Sequence, residues 1–383
     1  SAAPPALPPA PAPPRVRAAD DAARDAGRAL REKSGPSRLV EWQLVWDLTR
    51  AGRPETAREL FYQRTSKTPS STGLWEQWAR FELLQGDAER ARGLYRAALL
   101  HAEGRPRARA ESLRKWAVME FGAGDAAAAD GLFERALRVL DDAELAAAAA
   151  AEDDAAGDEA TDGEVDDSPA SLRRAQAVVL SSWAQVASRA GDAERARGYL
   201  ERAVARDARN HKAAHALARL EELRGDVDAA RARYEAIIAA KPGEAHASVS
   251  LARLLAGVFG DESGARDAYE AAACANPENH KVLQSWAVME ARAGGAEKKS
   301  GGDQKGGKDE DAAAKRLAGL AAARPLFRRA AFLAPWAAAV WCAWADAEFR
   351  ATGDAAAARA LYSKGLDAEP TNAALLRGIG GVE

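Results

Sequence analysis

Apolar residues recur along this chain at helical spacing, in stretches that come in pairs. Between residues 74 and 99, Trp75, Trp78 and Ala79 fall at i, i+3 and i+4, with Glu82 at i+7 on the same helix face. Gly86 and Asp87 interrupt the pattern, and Ala91, Tyr95 and Ala98 resume it at i, i+4, i+7. This predicts two helices joined by a Gly-Asp turn. Neither helix can bury its stripe alone, so each hairpin has to bury the face of its neighbour.

The pattern repeats. With Trp78 as marker, the equivalent positions are Leu44, Trp116, Trp183, Leu217, Leu251, Trp286 and Trp344, at intervals of 34, 38, 67, 34, 34, 35 and 58 residues. Spacings near 34 are those of tetratricopeptide-type helix pairs, and the two long ones each hide an insertion. The turn stays in phase at Gly52, Gly86, Gly124, Gly191, Gly225, Gly260, Gly294 and Gly353, with Asp following at positions 87, 125, 192, 226, 261 and 354. Nine residues after the glycine stands an aromatic at Phe61, Tyr95, Phe133, Tyr234, Tyr269 and Tyr362, or Leu200 in one repeat. Pro242, Pro277, Pro335 and Pro370 stop the second helices. The expected fold is all-α: a right-handed α-solenoid of about eight antiparallel helix pairs.

Four first helices couple an aromatic to a glutamate: Trp75/Trp78/Glu82, Trp116/Glu120, Trp286/Glu290 and Trp341/Trp344/Glu348. With the second-helix phrase Ala91-Arg92-Gly93-Leu94-Tyr95, this resembles the half-a-tetratricopeptide (HAT) repeat, over residues 39–383. The phrases at 114–124 and 284–294 are most similar to chloroplast messenger-maturation factors of the high-chlorophyll-fluorescence type. The resemblance implies a role in RNA metabolism and, for that subfamily, a chloroplast stromal location; a nuclear location is the alternative. Leu44, Leu217 and Leu251 depart from the aromatic marker, and Ala187 replaces the glutamate in the Trp183 repeat, so the middle repeats drift toward plain tetratricopeptide character.

Composition divides the chain further. Residues 1–15 are an Ala/Pro linker, and 16–140 carry the N-terminal repeats, with a lone helix expected over Asp20–Lys33. Residues 141–168 hold 12 Asp and Glu and no Lys or Arg, which reads as a disordered acidic insertion or a fraying helix extension. Setting those 12 acids aside turns the formal net charge from −3 to +9, so a near-neutral total conceals a basic repeat array. Residues 169–383 carry the C-terminal repeats, interrupted by a Gly/Lys/Asp-rich segment at 295–316 that reads as a flexible loop. The final residues align Ile379 with Trp344 and Glu383 with Glu348, so the text stops inside a first helix. Cys274 and Cys342 match no metal spacing and read as packed thiols. No apolar run approaches a membrane span.

The chemistry is that of binding. The sequence has no phosphate-binding glycine loop, no paired-histidine metal motif and no nucleophile elbow, so neither a cofactor, a metal nor a small-molecule substrate is expected. His101, His211, His215, His246 and His280 follow the repeat, and the recurring glutamates predict inter-repeat or helix-end hydrogen bonds. A second stripe lies roughly 130° from the core stripe, at two and five residues either side of the marker. It reads Lys212, His215 and Arg219, then His246 and Arg253, then Lys281 and Gln284 with Arg292 beside it. Arg80, Arg114 and Arg350 extend it toward the ends, against Glu76, Glu111, Glu222 and Asp346. A row of cations suits an RNA backbone; the competing reading is a solvated face with i,i+4 pairs, as the second-helix arginines Arg92, Arg197 and Arg233 suggest. Trp42 and Trp46 flank Leu44 and either pack on the terminal helix or offer stacking platforms for bases.

The leading expectation is therefore a non-enzymatic single-stranded RNA binder in chloroplast messenger maturation, processing or stabilisation. The alternative is a protein-interaction scaffold of a splicing or 3′-end cleavage complex.

Overall fold

The computed structural model describes residues 42–153, 167–293 and 308–381. The expected linker and the Asp20–Lys33 helix lie outside the described residues. Among the described residues there are seventeen α-helices and no strand. The helices form eight antiparallel pairs: α1 (Trp42–Arg50) with α2 (Pro54–Lys67), α3 (Thr72–Leu84) with α4 (Ala88–Leu100), α5 (Pro106–Gly122) with α6 (Ala126–Asp153), α7 (Pro169–Arg189) with α8 (Ala193–Arg206), α9 (His211–Arg224) with α10 (Val227–Ala240), α11 (Ala245–Leu254) with α12 (Glu262–Ala275), α13 (His280–Ala293) with α14 (Lys308–Leu333), and α15 (Ala338–Thr352) with α16 (Ala355–Ala368). A lone α17 (Ala373–Gly380) follows. This is the all-α repeat architecture that the 34-residue period predicts.

The turns form for local reasons. Gly86 adopts φ +84°, a left-handed conformation that closes α3 and that an L side chain rarely takes. The next residue, Asp87, then caps α4 by accepting from the Arg90 amide at 2.9 Å. Asp125, Asp192 and Asp261 repeat this bond at 2.9–3.0 Å, and Asp354 accepts from two amides. Asp226 makes no side-chain cap, although the sequence places it in the same phase. The helices that precede the four expected stop prolines end at Ala240, Ala275, Leu333 and Ala368, two residues before each proline.

The chain divides into two compact units, residues 1–213 and 214–383. Within each unit, a second helix packs on the first helix of the following pair, and successive first helices touch one another: α3 with α5 and α5 with α7 in the first unit, α11 with α13 and α13 with α15 in the second. The division falls inside α9 and not at the acidic segment, where composition alone would put it.

Both insertions are partly helical. The acidic segment continues α6 as far as Asp153, so for residues 141–153 the helix extension holds and not the disorder. Alanine, the best helix former, fills 146–151. Glu144 then ties the extension to the unit, accepting from Arg173 at 2.6 Å, Gln176 at 2.9 Å and Arg206 at 3.0 Å. Residues 154–166 lie outside the described residues. In the second insertion α14 begins at Lys308, with Ala312–Ala314 in its early turns, so the expected loop does not extend through residues 308–316. Residues 294–307 lie outside the described residues. One further departure is a π-helical turn, Leu255–Phe259, at the end of α11. It absorbs the extra residue that stretches the 251–286 interval to 35 and carries Gly260 to nine after its marker.

Candidate functional site

The tryptophans and glutamates of the repeat build one interlock, four times over. Trp78 donates its indole N–H to Glu82 at 2.9 Å, Trp116 to Glu120 at 2.7 Å, Trp286 to Glu290 at 3.0 Å and Trp344 to Glu348 at 2.9 Å. Each glutamate is buried and also accepts from an arginine on the preceding pair's second helix: Arg58, Arg92, Arg266 and Arg324, at 2.7–3.1 Å. Each marker indole stacks nearly parallel on the aromatic of that same preceding helix, Phe61, Tyr95, Tyr269 and Phe327 respectively, at 6.0–6.3 Å. The Arg92 guanidinium holds the Glu120 carboxyl below its ordinary range, and Arg324 does the same for Glu348. Trp75 and Trp341 donate instead to the carbonyls of Pro69 and Pro335, at 2.9 and 2.8 Å, and stack on Trp78 and Trp344. These residues hold repeat to repeat and face no ligand.

Where the pattern lapses, the interlock is rewired. In the Trp183 repeat Ala187 stands in the glutamate's place, and Asp130 stands where other pairs carry the arginine. The carboxylate has thus changed sides: Asp130 accepts the Trp183 N–H at 2.6 Å and pairs with Arg195 at 3.0 Å. Phe133 and Tyr199 sandwich the indole, at 5.5 and 4.2 Å. In the Leu217 repeat Glu221 pairs with Arg233 of the same hairpin, at 2.7 Å. The i,i+4 expectation therefore holds for Arg197, which reaches Glu201 at 2.8 Å, but not for Arg92 or Arg233, whose strongest partners lie on other helices.

The second stripe is less cationic than its sequence implies. In the second unit, His215 Nε2 lies 3.0 Å from Ser250 Oγ with the His246 ring at 6.4 Å, and burial pushes its pKa down, which leaves it a poor cation. Arg253 is paired with Glu222 at 3.2 Å, and Gln284 donates to the Ala339 carbonyl at 3.0 Å. Arg219, Lys281 and Arg292 are exposed with no carboxylate partner among the described residues. Lys212, on the first unit's side of the division, is also exposed. In α1, Trp42 is half-buried with the Arg80 guanidinium over its ring at 5.2 Å, while Trp46 is 46% exposed. Cys274 is exposed, against the expectation of a packed thiol; Cys342 is half-buried, and burial pushes its thiol up.

What the stripe builds is a groove. Between α11 and α13 a cavity of about 360 Å³ opens beside the π-turn, with Val249, Ala256, Val288 and Met289 as its aliphatic walls and Tyr269 at its back. Arg253, Gln284 and Arg292 stand on its rim. The first unit has a groove in the same register, about 430 Å³, in which Tyr95 takes the place of Tyr269. Most of its charges satisfy one another: Glu76 accepts from Ser112 at 2.6 Å and Lys115 at 2.5 Å, and Arg114 pairs with Glu111 at 2.6 Å, while Arg80 lies over the Trp42 ring. Of the second unit's groove, the sequence marks Arg253, Gln284 and Arg292 as binding candidates and Tyr269 only as a repeat aromatic. Val249, Ala256 and Val288 occupy the same stripe at two and five residues from the marker, so the stripe's aliphatic positions carry the signal for the groove.

These hairpins stack through stripes spaced by about 34 residues and cap their turns with Gly-Asp. Residues 187–255 match the tetratricopeptide repeat. The matched stretch holds the second helix of the Trp183 pair, the whole Leu217 pair and the first helix of the Leu251 pair, and none of these three repeats carries the Trp–Glu–Arg interlock. No curated protein matches the chain. Similar solved structures include a thermophilic tetratricopeptide protein of Thermus thermophilus, at 17% identity and a TM-score of 0.38, over 54% of this chain and 98% of that one. A tetratricopeptide repeat protein from Parabacteroides merdae superposes at 15% identity and 0.44, over 71% and 85%. YrrB, a tetratricopeptide protein with an unusual peptide-binding site, does so at 14% and 0.32, over 52% and 90%. Among the described residues no cluster of His, Cys, Asp and Glu could hold a metal, and no helix is long and apolar enough to cross a membrane.

Proposed function

We propose that this chain is a non-enzymatic protein-interaction scaffold that holds a segment of a partner protein in the groove between α11 and α13. The observation that carries this reading is the groove's lining: aliphatic Val249, Ala256, Val288 and Met289, with the rim cation Arg253 already neutralised by Glu222. An apolar cleft with a few polar groups at its mouth accommodates a side chain from another protein. The Trp–Glu–Arg interlock keeps the resemblance to HAT repeats in play, and with it a place in an RNA-processing assembly.

Gly257 offers the test. It lies on the groove wall, and a β-carbon there meets nothing within 4 Å. Gly257→Phe is expected to put a ring into the mouth of the cleft, and it removes a helix-weakening glycine. The variant is expected to lose the proteins that co-purify with the wild type at unchanged thermal midpoint. Full retention of every partner would remove the groove from the account.

A second reading, single-stranded RNA binding in chloroplast messenger maturation, draws on Arg219, Lys281 and Arg292, exposed and without carboxylate partners among the described residues. It predicts that replacing Lys212, Arg219, Lys281 and Arg292 by Gln flattens log K against log salt by about 2 to 3, near 0.7 per phosphate contact. Equal slopes in filter binding of the variant and the wild type would remove it.

A further inference from the structure

The second-helix tyrosines of the second unit all turn their hydroxyls toward the second stripe, and what they meet there differs. Tyr234 donates to Glu222 at 3.3 Å, and Tyr362 donates to Asp346. Tyr269 is 3% exposed, and its hydroxyl has no hydrogen-bond partner among the described residues. Its groove carries instead two guanidinia within electrostatic range, Arg253 and Arg292. The acid on the wall, Glu262, is turned to Arg266 at 3.4 Å, and Glu222 takes Arg253 at 3.2 Å. Among the described residues, Arg292 and the Tyr269 hydroxyl are left as donors with no acceptor, next to Val249 and Val288. A carboxylate is what the two sister sites supply and this one lacks.

We infer that the groove selects a partner-protein segment in which an aspartate or glutamate stands within one helical turn of an aliphatic side chain. The carboxylate accepts from the Tyr269 hydroxyl and the Arg292 guanidinium while the aliphatic side chain fills the cleft. This rests on the scaffold reading above and names the chemistry of its ligand. Burial pushes the Tyr269 hydroxyl up to about 12, so it stays a donor at physiological pH. A hydrogen bond to a charged acceptor in a half-dry cleft adds both affinity and direction. An RNA phosphate would also accept from Arg292, but nucleotide binding draws on exposed aromatic faces for stacking. The ring that lines this groove, Tyr269, is buried and stacked on Trp286 at 6.3 Å. The π-turn contributes by presenting Ala256 and Gly257 as a low wall, and such turns are frequent at functional sites.

The test applies the full chain, fluorescently labelled, to an array of short random-sequence peptides at about 0.15 M salt. Tyr269→Phe, Arg292→Gln and a charge control, Arg219→Gln, are applied beside it. Tyr269→Phe keeps the ring stacked on Trp286, and circular dichroism checks that each variant is as helical as the wild type. The retained peptides are expected to share Asp or Glu within a helical turn of Leu, Ile, Val or Met. Their binding is expected to fall about tenfold in Tyr269→Phe and in Arg292→Gln, and to stay unchanged in Arg219→Gln. Retained peptides with no acid in common, or bound equally by Arg292→Gln, overturn this inference and leave the scaffold reading standing. No retained peptide at all overturns both. Displacement of the retained peptides by single-stranded oligouridylate, lost in Arg292→Gln, overturns it in favour of a phosphate ligand.

Discussion

At the scale of single residues, each repeat junction of the common type rests on a tryptophan, a glutamate and an arginine that satisfy one another in a buried setting. Trp116→Ala or Trp286→Ala removes a stacked ring and leaves its glutamate short of one donor, which is expected to cost about 3 to 5 kcal/mol in chemical denaturation. The Asp130/Ala187 exchange gives a sharper test. Asp130→Arg or Ala187→Glu alone is expected to destabilise, whereas the double change rebuilds the common interlock around Trp183; the two should couple by about 0.5 to 3 kcal/mol in a double-mutant cycle. Additivity would mean that the carboxylate's change of side is incidental. The pH dependence follows from Glu120 and Glu348, both held below the usual 4.5. A carboxyl depressed in the folded state adds stability that is complete above its unfolded value and is lost as pH falls through its folded value. Stability is therefore expected to fall below about pH 4.5, and less steeply in Arg92→Met, which no longer holds Glu120 down. The tryptophan and glutamate were legible in the sequence because they share one helix at i,i+4. The arginine was not, because its partner lies 24 or 28 residues away and Arg92 has Glu89 three residues before it, which reads as an ordinary surface pair.

At the scale of elements, the hairpin period was readable because turn, cap and stripe all repeat in phase, each for its own physical reason. The two places where the reading fell short are those where composition outweighed propensity. Acidic residues left disorder or a fraying helix extension open after Val139; alanines carry α6 on to Asp153, the second of these, and Glu144 anchors it against Arg173 and Arg206. Burial would raise the Glu144 carboxyl, but the bonds from Arg173 and Gln176 hold it below its usual range. Glu144→Ala is accordingly expected to lower the thermal midpoint, while Leu145→Ala, at a site 71% exposed, leaves it in place. Equal midpoints for the two variants would mean that the extension is not anchored. The π-turn after Leu254 was visible only as a 35 among 34s, since one inserted residue carries no chemical mark of where the helix will widen.

At the scale of the whole molecule, net charge is a poor guide to partner. The −3 total conceals a basic remainder, but many of its arginines are committed to the glutamates between repeats, and of the second-stripe cations Arg253 is paired and His215 is held toward neutrality by burial. The second stripe's course was legible in the sequence; which of its charges are already answered was not, because that depends on neighbours about one repeat away. The most direct test of a protein-binding groove is a photo-cross-linking residue placed at Val288, on the groove wall, in the full chain within the cells that make it. The account predicts a protein adduct, identified by mass spectrometry, that is lost when Gly257→Phe is added. A ribonuclease-sensitive adduct at Val288, undiminished by Gly257→Phe, would contradict it.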